Sequence, residues 1–212
     1  MASAHRLPAA LRWGAIVWLA VWIPAYWHYW GAANFLHLSD ISVVISCVGV
    51  FFESPLLITS QAVASPAVDA VWTLDWLWHL AFHRPLLGGT EYMFDEQYPL
   101  WVRSLSLFHI FLPLVLLWAV RRVGYDPRGW ILQSVIALPV FIASRFANPA
   151  LNMNFAFSDP FFRRQWGPAP MHILVVFAFM ALVAYWPTDF LLKRMRSVAS
   201  SESQGLRQIK EF

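Results

Sequence analysis

Apolar residues in this chain come in runs of about twenty, and polar residues punctuate the runs instead of alternating through them. That pattern predicts helices long enough to cross a hydrocarbon core of ~30 Å. Six are expected, at about residues 11–30, 35–52, 55–82, 100–120, 127–146 and 170–192. Ser54 and Pro55 are placed to open the third, as Asp126 and Pro127 are to open the fifth. The third would measure ~42 Å as one straight helix, so tilt or a break at Ser65–Pro66 is expected. The tail 193–212 is Ser-rich and charged, lacks apolar periodicity, and is expected to be mobile.

The fourth segment states the physical problem most sharply. Arg103, Ser106 and His109 recur every three residues inside an otherwise apolar run, so they share one face of a helix. A cation within a span costs at least ~2.5 kcal/mol unless it snorkels, pairs or faces a cavity. An inward-turned polar face is therefore expected, and the run closes on the basic pair Arg121–Arg122 before the turn Gly124–Tyr125–Asp126–Pro127.

Composition agrees with this reading. Of 212 residues, 59% are hydrophobic and only 13% charged, and mean hydropathy is +0.53. Soluble domains carry nearer ~25% charge. The fold class expected is all-α, a single integral membrane domain of six transmembrane helices over residues 1–192. No cleavable signal is expected at the N-terminus. The formal charge of +3 does not argue for nucleic acid, because the bases sit at span ends. Cys47 is the only cysteine, which excludes an intrachain disulfide and a cysteine zinc site. The thirteen tryptophans suit interfacial belts.

Six spans put ten bases on one side, namely Arg6, Arg12, Arg121, Arg122, Arg128, Lys193, Arg194, Arg196, Arg207 and Lys210. The other side carries three, Arg84, Arg163 and Arg164. Both termini are then cytoplasmic, in a multi-pass protein expected in a bacterial inner membrane. With that topology His37, Asp40, Asp75, His79, Arg103, His109, Arg145 and His172 all fall in the outer leaflet, while Asp69 lies deeper. The simplest arrangement is a polar cavity between helices, open to the extracytoplasmic side, in which these groups pair.

Each candidate has a structural and a chemical reading. Ser39, Ser42, Ser46 and Gly49 make a small-residue stripe suited to close helix packing. Ser39 is also a candidate nucleophile, with His109 first and His37 second as its base. Asp40, Asp75 and Arg103 are expected to form an ion-pair set that fixes helix register. Arg103, with His37 and His79, is alternatively a holder of an anionic headgroup. Asp75, His79 and His83 follow at i, i+4 and i+8, but ligands stacked along ~12 Å of helix do not converge, and no metal site is expected. The outer loop 88–99 is either a lid or a simple return, and Asn152 and Asn154 either line a cavity mouth or satisfy loop backbone.

The blocks WGAANFLHLSD, ESPLL, SQAV, WTLDWL, TEYMFD, RSLSLFH and RRVGYDPR resemble a family of bacterial integral membrane proteins usually described only as membrane-associated. That resemblance covers roughly residues 26–192 and implies a fold class without an activity. More distantly, HLSD, FH, NMNF and GPAP are similar to the YwaF-like membrane proteins. Their eukaryotic relatives include intramembrane acyltransferases acting on ether phospholipids, with a cysteine and a histidine on different helices. The resemblance places Ser39 at the cysteine position and His109 at the histidine. It implies an intramembrane site for a lipid or amphiphile, with acyl transfer or hydrolysis as its chemistry. Ser39 would attack, His109 would take the proton, and Asp40 or Asp75 would orient the bases. The alternative is a non-catalytic subunit of a larger membrane assembly. A small transporter is disfavoured, since no internal repeat supplies a second half to rock against the first. The partners expected are membrane lipids and other membrane subunits; no cofactor is specified.

Overall fold

The computed structural model describes residues 6–195; the tail positions Arg196, Arg207 and Lys210 used in the charge count lie outside them. Among the described residues every regular element is helical. The α-helices are α1 (Ala9–Trp30), α2 (Leu38–Phe51), α3 (Pro55–Phe82), α4 (Leu100–Leu105), α5 (Phe108–Val123), α6 (Gly129–Ser144) and α7 (Ala169–Met180). A π-helical turn, Ala181–Tyr185, carries α7 onward to Met195. Three stretches are long and apolar enough to cross a membrane: Ala9–Trp30, Leu100–Val123 and Ala169–Met195. Leu38–Phe51 and Gly129–Ser144 are shorter apolar helices.

The organising element is α3. It packs against α2, α5 and α6. Its first half is buried all round, from Ile58 through Ser65. Ser54 caps it by accepting from the Leu57 N–H at 3.4 Å, with Pro55 in the first turn, as the sequence predicts. It ends where His83 takes a left-handed conformation, φ 53°. Pro66 lies inside α3 without breaking it.

The break falls instead in the next segment. At Ser106–Leu107 the chain tightens into i→i+3 bonds, His109 N–H to Ser106 O and Ile110 N–H to Leu107 O, separating α4 from α5. Pro113, further along α5, has no N–H for the carbonyl of His109 and lies inside that helix without ending it.

Specific contacts gather the helix ends. At one end Arg12 pairs with Glu53 at 3.2 Å, the Asp126 N–H donates to Thr59 Oγ1 at 3.0 Å, and Tyr125 donates to Asp189. Lys193 closes that group on Asp189 at 2.6 Å. At the other end Asn154 donates to Leu36 O and Ser144 Oγ while accepting from the Leu38 N–H, tying the start of α2 to the end of α6. Asn152 accepts from the N–H groups of Phe157 and Ser158. These amides satisfy loop backbone, which is their structural reading.

Two glycine-scale approaches set helix spacing. A Cβ at Gly49 would stand 2.9 Å from Leu57 Cβ, and one at Gly129 would stand 2.6 Å from Thr59 Cγ2. Ser42 and Ser46 are buried on the same α2 stripe as Gly49. The stripe serves close packing.

Candidate functional site

His109 lies in the first turn of α5, just past the break, and its ring meets α3. Its Nδ1 lies 2.7 Å from Asp69 Oδ1, and both side chains are nearly sealed from solvent. Ser65, one turn earlier on α3, donates its hydroxyl to the other carboxylate oxygen of Asp69. The imidazole is sandwiched between Trp72 at 4.3 Å and Phe108 at 4.1 Å. With Nδ1 committed to Asp69, Nε2 is left without a hydrogen-bond partner among the described residues. Ser65–Asp69–His109 is thus an oriented imidazole with one nitrogen available, held between aromatic faces in an apolar surround.

On sequence alone Asp69 stands apart from the other groups, and His109 has a different partner. A signal is nonetheless there: Ser65, Asp69 and Trp72 recur at helical spacing on one face of α3, and a carboxylate deep in a span needs a donor. What the sequence lacks is the register between α3 and α5.

A second polar group lies beside this site, at the end of the bundle covered by the 88–99 loop. Tyr26 Oη and Ser106 Oγ share a hydrogen bond of 2.7 Å, and both residues are buried. Tyr92 reaches down from the 88–99 loop so that its hydroxyl comes close to Ser106 and to the Trp72 indole. Burial of that hydroxyl pushes its pKa above the ordinary tyrosine value. Asp40 is buried and accepts from Asn34 Nδ2 at 2.6 Å. His37 occupies the N-cap position of α2 in extended conformation, with no side-chain cap bond. The loop therefore folds onto the helix ends, with Tyr92 and Tyr98 packed against Trp30 and Phe94 against His79.

The expected ion-pair set of Asp40, Asp75 and Arg103 does not form. Asp75 turns to the loop instead, where one oxygen accepts from the N–H groups of Leu86, Leu87 and Gly88 at 2.8, 2.6 and 3.2 Å. Its other oxygen accepts from the Thr90 hydroxyl. Four local donors satisfy this carboxylate without a cation, so it organises the loop and orients no base. Arg103 donates from Nη1 to the carbonyl of Met93 at 2.8 Å, and its buried Nε has no partner among the described residues. The backbone of the same loop outcompetes both aspartates for it.

Nor do the remaining groups share one cavity. His172 is fully buried, accepting at Nδ1 from the Trp166 N–H at 3.1 Å and placing Nε2 3.0 Å from the Phe155 carbonyl. Arg145 donates to the Ala156 carbonyl and lies over the Phe157 ring. Both serve the 145–168 loop. Ser39, in the first turn of α2, makes no hydrogen bond to His109 or to His37 among the described residues. His79 has a buried Nδ1 without a partner. No three His, Cys, Asp or Glu side chains cluster as a metal site among the described residues. Two open surface depressions lie elsewhere, beside the Gly124–Arg128 turn and between α1 and α5.

Comparison with protein-family models, with curated proteins and with solved structures finds no match.

Proposed function

We propose that this is a six-span integral membrane protein whose Asp69–His109 pair acts as an intramembrane base on a lipid or other amphiphile. The observation that carries this reading is the 2.7 Å Nδ1 bond, which orients the ring and leaves Nε2 uncommitted inside an apolar bundle. An ionisable pair is costly to keep within a membrane, and where one persists it usually serves function. Nε2 would take the proton of a hydroxyl as that oxygen attacks an ester carbonyl, then return it to the departing alkoxide. Acyl transfer results when the attacking hydroxyl belongs to a second amphiphile, and hydrolysis when it belongs to water. Ser39 stands outside hydrogen-bonding range of the base, so the attacking oxygen in this reading comes from a bound molecule. Arg103, with its Nε–H unpartnered, is the residue to meet an anionic headgroup at the outer end.

Lipid profiles of cells expressing wild type, Asp69→Asn, His109→Ala and Ser39→Ala at matched levels test it. The wild-type change should vanish in the first two variants and persist in Ser39→Ala. Loss in Ser39→Ala as well would restore the serine as nucleophile; identical profiles in all four would end the catalytic reading.

A second reading has its own support. Asp75, Arg103, Arg145 and His172 all hold loop backbone, and neither surface depression described above lies against His109. A non-catalytic subunit needs no more than that. Native mass measurement after gentle solubilisation separates the two: stable co-purifying chains favour the subunit, and a lone chain counts against it.

A further inference from the structure

The cleft between α1 and α5 is lined by Leu11, Leu114, Val115 and Trp118, all apolar. At its end Arg122 lies over the Trp118 ring, its Cζ 5.3 Å from the ring centroid. The other base at the start of α1, Arg12, is already engaged by Glu53 and by the Phe51 carbonyl. Arg121 and Arg122 are exposed, and neither meets a carboxylate among the described residues.

A shallow apolar depression ending in a guanidinium that meets no carboxylate among the described residues matches one kind of molecule, an acyl chain joined to an anionic head. We infer that this groove binds an anionic phospholipid, with an acyl chain along Leu114 and Val115 and the phosphate on Arg122. Trp118 serves both parts, its edge lining the depression and its face holding the guanidinium level with the headgroup. Arg122 is suited to the role because a planar fork meets phosphate oxygens with two parallel hydrogen bonds. The site lies at the opposite end of the bundle from His37 and Asp40. The inference rests on the membrane reading of the chain and not on Asp69–His109 chemistry.

Native mass spectrometry of the purified full chain in detergent reads it directly. The protein is titrated with phosphatidylglycerol or with phosphatidylcholine of the same acyl chains. Wild type should retain phosphatidylglycerol about fivefold better, the effect of one basic residue at an anionic surface. Arg122→Gln should bring retention down to the phosphatidylcholine level, while Arg122→Lys keeps part of the preference. Trp118→Ala should weaken both lipids, and Arg84→Gln, at the far end, should change neither. Equal retention of the two lipids by wild type overturns the inference, as does a preference that survives Arg122→Gln. A dimer mass lost in Trp118→Ala would give the groove to a second copy and overturn it as well.

Discussion

Asp69 accepts two hydrogen bonds inside the bundle, from Ser65 and from His109, and removing it would strand both donors. A buried donor left unmade costs ~1–3 kcal/mol, whereas removing both partners of a pair together is far milder. Asp69→Ala should therefore lower thermal stability in detergent by about that amount, and Asp69→Ala with His109→Phe should recover part of it. Additive losses would mean the 2.7 Å contact carries no coupling. Asp159 offers a residue-scale prediction outside the spans. Its burial works to raise its pKa, but the N–H groups of Phe162, Arg164 and Phe161 and the Trp166 indole outweigh that and hold it below the ordinary 3.8. A depressed carboxyl contributes stability above its unfolded pKa and loses it as pH falls through the folded one. Amide exchange at Phe161, Phe162 and Arg164, corrected for intrinsic pH dependence, should stay slow at neutral pH and quicken only below about pH 4. Asp159→Asn should quicken it at pH 7 while the Phe157 and Ser158 amides, held by Asn152, stay protected.

At the scale of elements, spacing between helices is set by what lacks a side chain. Gly129 opens α6 against Thr59 and Ser60 of α3, where a methyl group would meet Thr59 Cγ2 at 2.6 Å and the Ser60 nitrogen at 3.0 Å. Gly129→Ala should cost ~1–3 kcal/mol by overpacking. Gly14, inside α1 with nothing within 4 Å of an added Cβ, is the matched contrast. Gly14→Ala should stabilise by roughly 0.5–1 kcal/mol through backbone entropy and helix propensity. Thermal unfolding of the two variants in one detergent checks both signs. The start of α3 and the α2 stripe are legible in the sequence because they follow from local rules: Ser54 and Pro55 cap, and Ser42, Ser46 and Gly49 repeat at helical spacing. The expected opening by Asp126 and Pro127 is not met, since the Asp126 carboxylate is taken by the Arg128 N–H and guanidinium and α6 starts at Gly129 without a side-chain cap. The break at Ser106–Leu107 is not legible. Pro66 and Pro113 look alike in the sequence, yet α3 is packed all round just before Pro66. The chain before Pro113 instead bends to bring Ser106 to Tyr26. The partners of Asp75 and Arg103 are hidden for the same reason, because a loop backbone supplies bonds that no side-chain pattern announces.

For the whole molecule, the contacts at the two ends constrain how the chain threads a bilayer. Arg12–Glu53, Thr59–Asp126 and Tyr125–Asp189–Lys193 bring the start of α1, the α2–α3 and α5–α6 turns and the end of α7 together. Asn34–Asp40, Asn154–Leu36 and Asp75–Thr90 do the same for the connections at the opposite end. Each helical segment then runs from one group to the other, and on the proposed six-span reading the more basic group would face the cytoplasm. Leu38–Phe51 and Gly129–Ser144 are short for a full span, at ~21 Å and ~24 Å of helix. They can cross only where longer neighbours shelter their ends, as α3 does. This arrangement can be tested residue by residue on a Cys47→Ala background. A cysteine at Glu96 should react with a membrane-impermeant maleimide in intact cells, and one at Arg128 only after permeabilisation. Labelling of Arg128→Cys in intact cells would invert the molecule. Labelling of both would put the two ends of Leu100–Val123 on the same side of the membrane, so that segment would not cross, leaving the Asp69–His109 pair without the enclosure the proposed chemistry requires.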